Sequence, residues 1–311
     1  MVIIRPVAVS DLDDLIDLAT VASFALTSLP KDPELLKERV EQSIRSFGTV
    51  PKKPGGELYI FVMEDLETGK TVGTSCIVSK VGGFEPFYAF RVETIIHESK
   101  HLNIRREISI LHLVTQHSGP CEIGGLFLAP EYRKHGNGRL LSLFRFLFMA
   151  EHPKRFERMV IAEMRGVVDR GGHSPFWEAL GRHFFDMDFP KADYLSSTDK
   201  QFIADLMPRC PIYIPLLPRD AREVIGEVHE HTKPALKMLR DEGFRSSGMV
   251  DIFEAGPIIA AELNEIRIVK ESVRTTIREI TSDHVLSLNH IVAAVDGEFR
   301  ACVGSVSRAQ D

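Results

Sequence analysis

The sequence is poor in the residues that cross-link small proteins or hold them in membranes. Only four cysteines occur in 311 residues, at positions 76, 121, 210 and 302, and no two form a C-x-x-C pair. Neither a zinc knuckle nor a disulfide framework is therefore predicted. No apolar run approaches the roughly 18 residues of a membrane-spanning helix. Positive charge is not in excess, because 38 Lys and Arg face 44 Asp and Glu, a net charge of −6. We therefore expect neither a nucleic-acid nor a membrane partner.

A targeting signal is also lacking at the amino terminus. Met1-Val2-Ile3-Ile4-Arg5-Pro6 has neither the basic start nor the apolar stretch of a signal peptide. The composition, 44% apolar and 26% charged, is that of a globular domain. We expect a reduced, cytoplasmic protein, and the length permits one large domain or two modest ones.

Hydrophobic periodicity predicts a chain in which strands and helices mix. Apolar and β-branched runs predict strands over 58–66, 72–81, 87–96, 108–115, 122–128, 156–164 and 244–253. Amphipathic patterns with capping residues predict helices over 11–19, 32–47, 174–185 and 234–242, and an apolar helix over 140–150. Near the end, two strand-like runs meet at Asp296-Gly297, which indicates a hairpin.

A glycine-rich loop stands between the strand over 122–128 and the apolar helix. It reads Arg133-Lys134-His135-Gly136-Asn137-Gly138-Arg139. Its glycines let backbone N–H groups approach a ligand closely, and the start of a helix attracts an anion. The pattern lacks both the Walker ending and the full dinucleotide fingerprint. It suits a pyrophosphate, and the alternative is an ordinary turn with surface cations.

In this strand–loop–helix context the loop resembles the acyl-CoA-binding core of the Gcn5-related N-acetyltransferase superfamily, whose pattern R/Q-x-x-G-x-G/A is here Arg133-x-x-Gly136-x-Gly138. The resemblance implies an α/β fold with a mixed, mostly antiparallel sheet, helices on both faces and added insertions. It also implies that the pantetheine arm follows the strand over 122–128, which splays from the strand over 156–164. The residues it assigns to the CoA ester are Leu126, Leu128, Arg133, Lys134, Gly136, Gly138 and Arg139.

Longer strings indicate a narrower family. They include Leu26-Thr27-Ser28-Leu29-Pro30, Ala162-Glu163-Met164-Arg165-Gly166, Ser174-Pro175-Phe176-Trp177-Glu178 and Val224-Ile225-Gly226-Glu227-Val228-His229. In order over residues 2–257, they resemble the bacterial arginine N-succinyltransferases. The resemblance implies transfer of succinyl from succinyl-CoA to the α-amino group of L-arginine, in the cytoplasm, by a homo- or hetero-oligomer. It implies no tightly bound cofactor.

The family resemblance assigns roles to two positions. Leu126 is implied to contact succinyl-CoA, and His229 to be the proton donor. Histidine suits proton transfer because its pKa lies near the operating pH. By its residues alone, His229 is rather a surface histidine in a polar loop; a metal pair with His231 is a third reading, although no third ligand follows nearby. We predict no metal site.

Charged residues at the ends of predicted strands are candidates for the amine pocket. Glu163 suits a guanidinium and Arg165 a carboxylate, since both kinds of pair can be bidentate. The alternative is that they form a buried structural ion pair. Glu122 is a candidate base or guanidinium partner. Thr27 and Ser28 either line the amine pocket or form a helix-ending turn before Pro30.

The organisation that follows is one N-acyltransferase-like body over 1–257, with insertions near 83–118 and 186–230, and a carboxy-terminal extension over 258–311. Segments 123–125 and 258–261 depart from the family's pattern. Two alternative functions therefore stay open: a non-catalytic subunit of a heteromeric enzyme, and an acyltransferase for another amine.

Overall fold

One large sheet organises the chain. The computed structural model describes residues 1–22, 28–280 and 290–306, and within them the chain forms twelve strands and ten α-helices. The strand order is β11-β12-β1-β2-β3-β6-β7-β10-β9-β4-β5-β8. In these ranges every strand pair is antiparallel except β6 with β7. The predicted fold class, an α/β fold with a mostly antiparallel mixed sheet, is confirmed.

The strands are β1 (Val2–Pro6), β2 (Leu58–Asp65), β3 (Lys70–Val78), β4 (Phe87–Ser99), β5 (Ile104–Gln116), β6 (Cys121–Leu128), β7 (Met159–Glu163), β8 (Ile212–Tyr213), β9 (Arg245–Val250), β10 (Pro257–Glu262), β11 (His290–Ala294) and β12 (Arg300–Gly304). The α-helices are α1 (Leu12–Val21), α2 (Pro33–Phe47), α3 (Asn137–Glu151), α4 (Pro175–Ala179), α5 (Gly181–Phe185), α6 (Phe189–Ser196), α7 (Gln201–Leu206), α8 (Arg219–Val224), α9 (Lys233–Asp241) and α10 (Arg267–Glu271). In the described segments, no helix is both long enough and apolar enough to cross a lipid bilayer.

Strand β2 is buried on both faces, so helices cover the sheet on both sides. Successive side chains of a strand point to opposite faces. Tyr59 and Phe61 pack in one core with Phe144 of α3, whereas Ile60 packs in another core with Leu36 of α2. Phe61 and Phe144 meet edge to face with ring centroids 4.8 Å apart, a favourable aromatic geometry. The helices thereby fix the sheet that carries the cleft described below.

A further core lies on the half of the sheet formed by β4, β5 and β9. It gathers Phe90 and Val250 of the sheet around Phe176 and Trp177 of α4. Trp177 is completely buried, and its indole N–H donates to the carbonyl of Met187 at 2.9 Å. Trp177 therefore belongs to the core that packs α4 against the sheet.

The single helix predicted over 174–185 is wrong, because the chain forms two short helices there. Ser174 caps the first, accepting the Trp177 N–H at 3.2 Å, with Pro175 at the first helical position. The helical path breaks at Leu180, whose ψ is −69° at a φ of −129°. A Cβ at Gly181 would lie 2.2 Å from the Trp177 ring. The chain therefore turns where the buried indole leaves room for glycine alone.

The centre of the sheet is assembled from distant parts of the chain. Beyond residue 257 the chain enters β10, which pairs with β7 on one side and β9 on the other. β11 and β12 form an antiparallel hairpin that joins the edge of the sheet at β1. β7 is thus held between β6 and β10, next to the opening in the sheet.

Candidate active site

A deep cleft opens where β6 and β7 separate. In the described chain these strands pair at Cys121 with Val160 and at Glu122 with Ile161, and β6 then runs on to Leu128 away from β7. The cleft has a volume of about 1270 Å³, above the roughly 300–1,000 Å³ of an ordinary small-molecule pocket. The predicted site residues that line it are Ser28, Glu122, Leu126, Leu128, Arg133, Lys134, Gly136, Gly138, Glu163, Arg165 and His229.

Two predicted site residues are not brought into this lining. Arg139 is exposed outside it, because position 139 falls in the first turn of α3, where its side chain faces solvent. Thr27 lies outside the described residues. Its neighbour Ser28 is described and lines the cleft beside β6.

A bulge in β6 bends the strand at the mouth of the opening. Thr74 of β3 pairs with Phe127 and Cys76 with Gly124, so Gly125 and Leu126 together face one residue of β3. Gly125 has a φ of +61°, and a Cβ there would lie 2.8 Å from the Cys76 sulfur. Only glycine meets both conditions. A bulge re-aims backbone groups, and here it turns the backbone near Leu126 towards the cleft.

The side chain of Arg145 on α3 stabilises the bulge through hydrogen bonds to backbone carbonyls. It is 2% exposed, and its guanidinium donates to the carbonyls of Gly124 at 3.1 Å, Cys76 at 3.4 Å and Ser142 at 2.9 Å. Burial lowers the pKa of Arg145 to about 10, so the group is still charged at neutral pH. A buried cation with three carbonyl acceptors fixes the bulge to the helix that follows the loop.

We expect Arg145→Met to lower the free energy of unfolding by about 2 kcal/mol, because the carbonyls of Gly124 and Ser142 lose their donor in a buried setting. Urea denaturation followed by circular dichroism measures the change. The control is Arg158→Met, which removes an exposed partner of Glu262 and should change stability by less than about 0.5 kcal/mol. Equal effects of the two variants would contradict the role of Arg145.

The predicted pyrophosphate loop presents unpaired amides at the start of α3. His135 and Gly136 have positive φ angles of 52° and 79°, which curl the backbone into the helix. Within the described residues, the amides of His135, Gly136, Gly138 and Arg139 donate to no backbone carbonyl. A Cβ at Gly136 or Gly138 would meet no atom within 4 Å. Open space, free N–H groups and a helix N-terminus together make an anion-binding cradle.

The side chains of the loop supply positive charge at the same end of the cleft. Arg133 and Lys134 are exposed and line it. The Arg133 Nε donates to the carbonyl of Leu128 at 3.0 Å, and its guanidinium lies 5.7 Å from the centre of the Phe127 ring. This bond ties the cationic loop to the end of β6.

His229 also lines the cleft. Two hydrogen bonds to neighbouring backbone groups fix the position of its backbone and the orientation of its ring. Its N–H donates to the Arg165 carbonyl at 2.9 Å, and its Nδ1 accepts the N–H of His231 at 3.2 Å. With Nδ1 as acceptor, the neutral ring carries its hydrogen on Nε2. Burial, followed by the charges of Arg165 and His231, lowers the pKa of His229. When protonated, this imidazolium is therefore a stronger acid than an ordinary histidine.

Carboxylates gather at the opposite end of the cleft from the loop. Glu122 is partly buried, and burial raises its pKa against the attraction of Lys200 and Arg39. Glu163 is exposed to the cleft, which contradicts the alternative that it belongs to a buried ion pair. Desolvation within the cleft, then Glu122 and Asp251, raise the pKa of Glu163 well above its usual range.

Arg165 lies beside an acid that the sequence analysis missed. Its Nε is 4.0 Å from Glu254 Oε1, and Glu254 is 5% exposed. Gly166 and Gly256 allow this approach, since a Cβ at Gly256 would fall 2.0 Å from the Met164 carbonyl. Further cleft residues absent from the prediction are Arg39, Lys200 and Asp251.

A parallel strand pair that separates where one of its strands is bulged, followed by a cradle of free amides at a helix N-terminus, fits an acyltransferase that takes an acyl-CoA co-substrate. The sequence model described as arginine N-succinyltransferase beta subunit matches residues 2–268. The chain belongs to the arginine N-succinyltransferase family.

Named relatives cover most of the chain. Arginine N-succinyltransferase of Yersinia pestis is 46% identical over 279 residues, 89% of this chain and 79% of the relative. The protein of the same name from Escherichia coli O6:K15:H31 (strain 536 / UPEC) is 46% identical over 274 residues, 88% and 79% of the two chains. The solved structure of arginine/ornithine succinyltransferase subunit AI from Pseudomonas aeruginosa has a TM-score of 0.87 at 35% identity, and the match covers 99% of this chain and 90% of that one.

Proposed function

We propose that this chain transfers succinyl from succinyl-CoA to the α-amino group of L-arginine, by direct attack within a ternary complex, as a cytoplasmic step of arginine catabolism. The observation that carries the proposal is the division of one cleft into two ends. Free amides with Arg133 and Lys134 lie at the loop end, and carboxylates, with Arg165 among them, lie at the end formed by β7 and the segment after β9. A diphosphate and a cationic amino acid fit these two ends.

The CoA ester enters from the loop. The amides of His135, Gly136, Gly138 and Arg139 receive the diphosphate, and Arg133 and Lys134 add charge. The pantetheine arm then follows β6 past Leu128 and Leu126 into the gap between β6 and β7. This path brings the thioester to the bulge, where a backbone N–H near residues 126–128 stabilises the carbonyl oxygen as it becomes negative.

The proton steps require a base and an acid. The α-ammonium of arginine must first lose a proton, because only a neutral amine has a lone pair for attack. The nitrogen then bonds to the thioester carbon, the C–S bond breaks, and the nitrogen loses a second proton as the amide forms. The first proton leaves to solvent, Glu122 takes the second from the nitrogen, and protonated His229 gives one from Nε2 to the departing sulfur. The raised pKa of Glu122 suits a base, and the lowered pKa of His229 makes its protonated form a stronger acid.

The amine substrate is held beside these groups. Arg165 pairs with the α-carboxylate as a bidentate donor, while Glu163 attracts the cationic side chain. Ser28, and Thr27 next to it, complete the wall beside the bulge. The protein is proposed to act as a homo- or hetero-oligomer, which sedimentation of the purified chain would test.

The activity is tested by following free thiol from succinyl-CoA. We expect the purified chain to release thiol only when an amine acceptor such as L-arginine is present, because direct attack forms no acyl-enzyme that water can hydrolyse. Mass spectrometry should show one succinyl group on the α-nitrogen. Ornithine and lysine as alternative amines, and acetyl-CoA as an alternative acyl donor, define the amine and acyl preferences. If neither arginine nor ornithine causes thiol release, the assignment is refuted.

A further inference from the structure

Three carboxylates from interior strands of the sheet line the same cleft. Glu122 is on β6, Glu163 is the last residue of β7, and Asp251 follows β9 directly. β10 lies between β7 and β9, with Ile258 paired to both Glu163 and Met249. Glu163 and Asp251 thus lie two strand spacings apart across the sheet, about 10 Å, with Asp251 offset along the strands because it faces Gly256, and both line the cleft.

Asp251 is held in a fixed conformation by its own loop. Its Oδ1 accepts the amides of Phe253 at 2.8 Å and Glu254 at 2.6 Å, and its own N–H donates to the Gly256 carbonyl at 2.8 Å. This turn uses one oxygen of the carboxylate, and the residue remains partly exposed to the cleft. Asp251 is therefore a preorganised anionic group at the far end of the site.

A second observation indicates that this end is built to receive a ligand. Glu254, three residues further on, is 5% exposed and lines the cleft, and its Oε2 has no hydrogen-bond partner among the described residues. A buried carboxylate oxygen without a donor costs free energy. A substrate that brings N–H donors and positive charge supplies what this oxygen lacks.

The distances match the length of an arginine side chain. The five bonds from Cα to the guanidinium carbon span about 6 Å when extended. An α-amine at the gap between β6 and β7 therefore places the guanidinium beyond β7, above β10, between Glu163 and Asp251. We propose that Asp251, with Glu254 behind it and Glu163 opposite, forms the subsite for the cationic end of the amino-acid substrate. This inference rests on the proposed function, which supplies the direction in which the amino acid lies.

The test compares L-arginine with L-citrulline, which replaces the guanidinium by a neutral urea of nearly the same shape. Binding to the full-length chain is measured by calorimetry in the presence of CoA. We expect Asp251→Asn to raise the Kd of arginine about 30-fold, since a charged hydrogen-bond partner is lost, and to change the Kd of citrulline less than about threefold. Asparagine keeps the oxygen that accepts the two loop amides, so the turn is preserved.

Two variants make the result decisive. Glu254→Gln is expected to weaken arginine binding about tenfold, and Glu227→Gln, an exposed acid on a neighbouring segment, is expected to leave it unchanged. The proposal is overturned if wild-type protein binds citrulline as tightly as arginine, or if Asp251→Asn weakens both equally. Because binding is measured, preferential arginine binding without succinyl transfer would contradict the proposed function and leave this subsite supported.

Discussion

Replacing His229 by alanine is expected to lower kcat about 1,000-fold, because removal of a positioned proton donor costs about 10²- to 10⁴-fold. The departing thiolate would then take its proton from water. KM for both substrates should change little, since the ring is assigned to the leaving sulfur and not to binding. Steady-state kinetics of thiol release measures both constants, and single-turnover experiments separate chemistry from product release.

The neighbouring histidine provides a matched control. His231 orients His229 through its backbone N–H, which alanine retains, so His231→Ala should keep kcat within about threefold of wild type. The rings of the two residues lie 5.0 Å apart, and both line the cleft. A large loss in His231→Ala with normal turnover in His229→Ala would reverse the assignment, and wild-type turnover in both would remove histidine from the mechanism.

The local sequence pattern was sufficient to predict those parts of the fold that are determined by residues close together in the sequence. The apolar run over 58–66 predicted a strand, and successive side chains of β2 pack into two separate cores. The Ser174-Pro175 cap and the start of α3 also depend on residues within a few positions of each other. In each case the determining contacts span one turn or one strand, so periodicity and capping chemistry carry the information.

The missed features depend on contacts between distant segments. Asp251 and Glu254 reach the cleft because β10 returns between β7 and β9, and no spacing rule joins residue 163 to residue 251. Arg39 and Lys200 approach Glu122 from α2 and from the residue before α7. Two signals were present and not used. Gly124-Gly125 inside a strand indicates a bulge, and Arg145 inside an apolar helix indicates a buried cation that needs acceptors.

Gly138→Leu is expected to raise KM for succinyl-CoA about 100-fold while leaving the protein as stable as wild type. A Cβ at Gly138 meets no protein atom within 4 Å, so the leucine side chain fits the empty cleft. Leucine also favours a helix more than glycine does, and Gly138 is the second residue of α3. The side chain would instead occupy the space above the free amides, where the diphosphate is proposed to bind.

The choice of Gly138 over Gly136 makes this experiment interpretable. Gly136 has a φ of +79°, so any side chain there strains the backbone and mixes a folding defect with a binding defect. The matched substrate is a succinyl thioester of N-acetylcysteamine, which lacks the diphosphate. Its KM should be the same for wild type and Gly138→Leu. If the variant has the wild-type KM for succinyl-CoA, the loop is excluded as the diphosphate site. If KM rises equally for both thioesters, the substitution acts on the pantetheine channel along β6 and not on diphosphate binding.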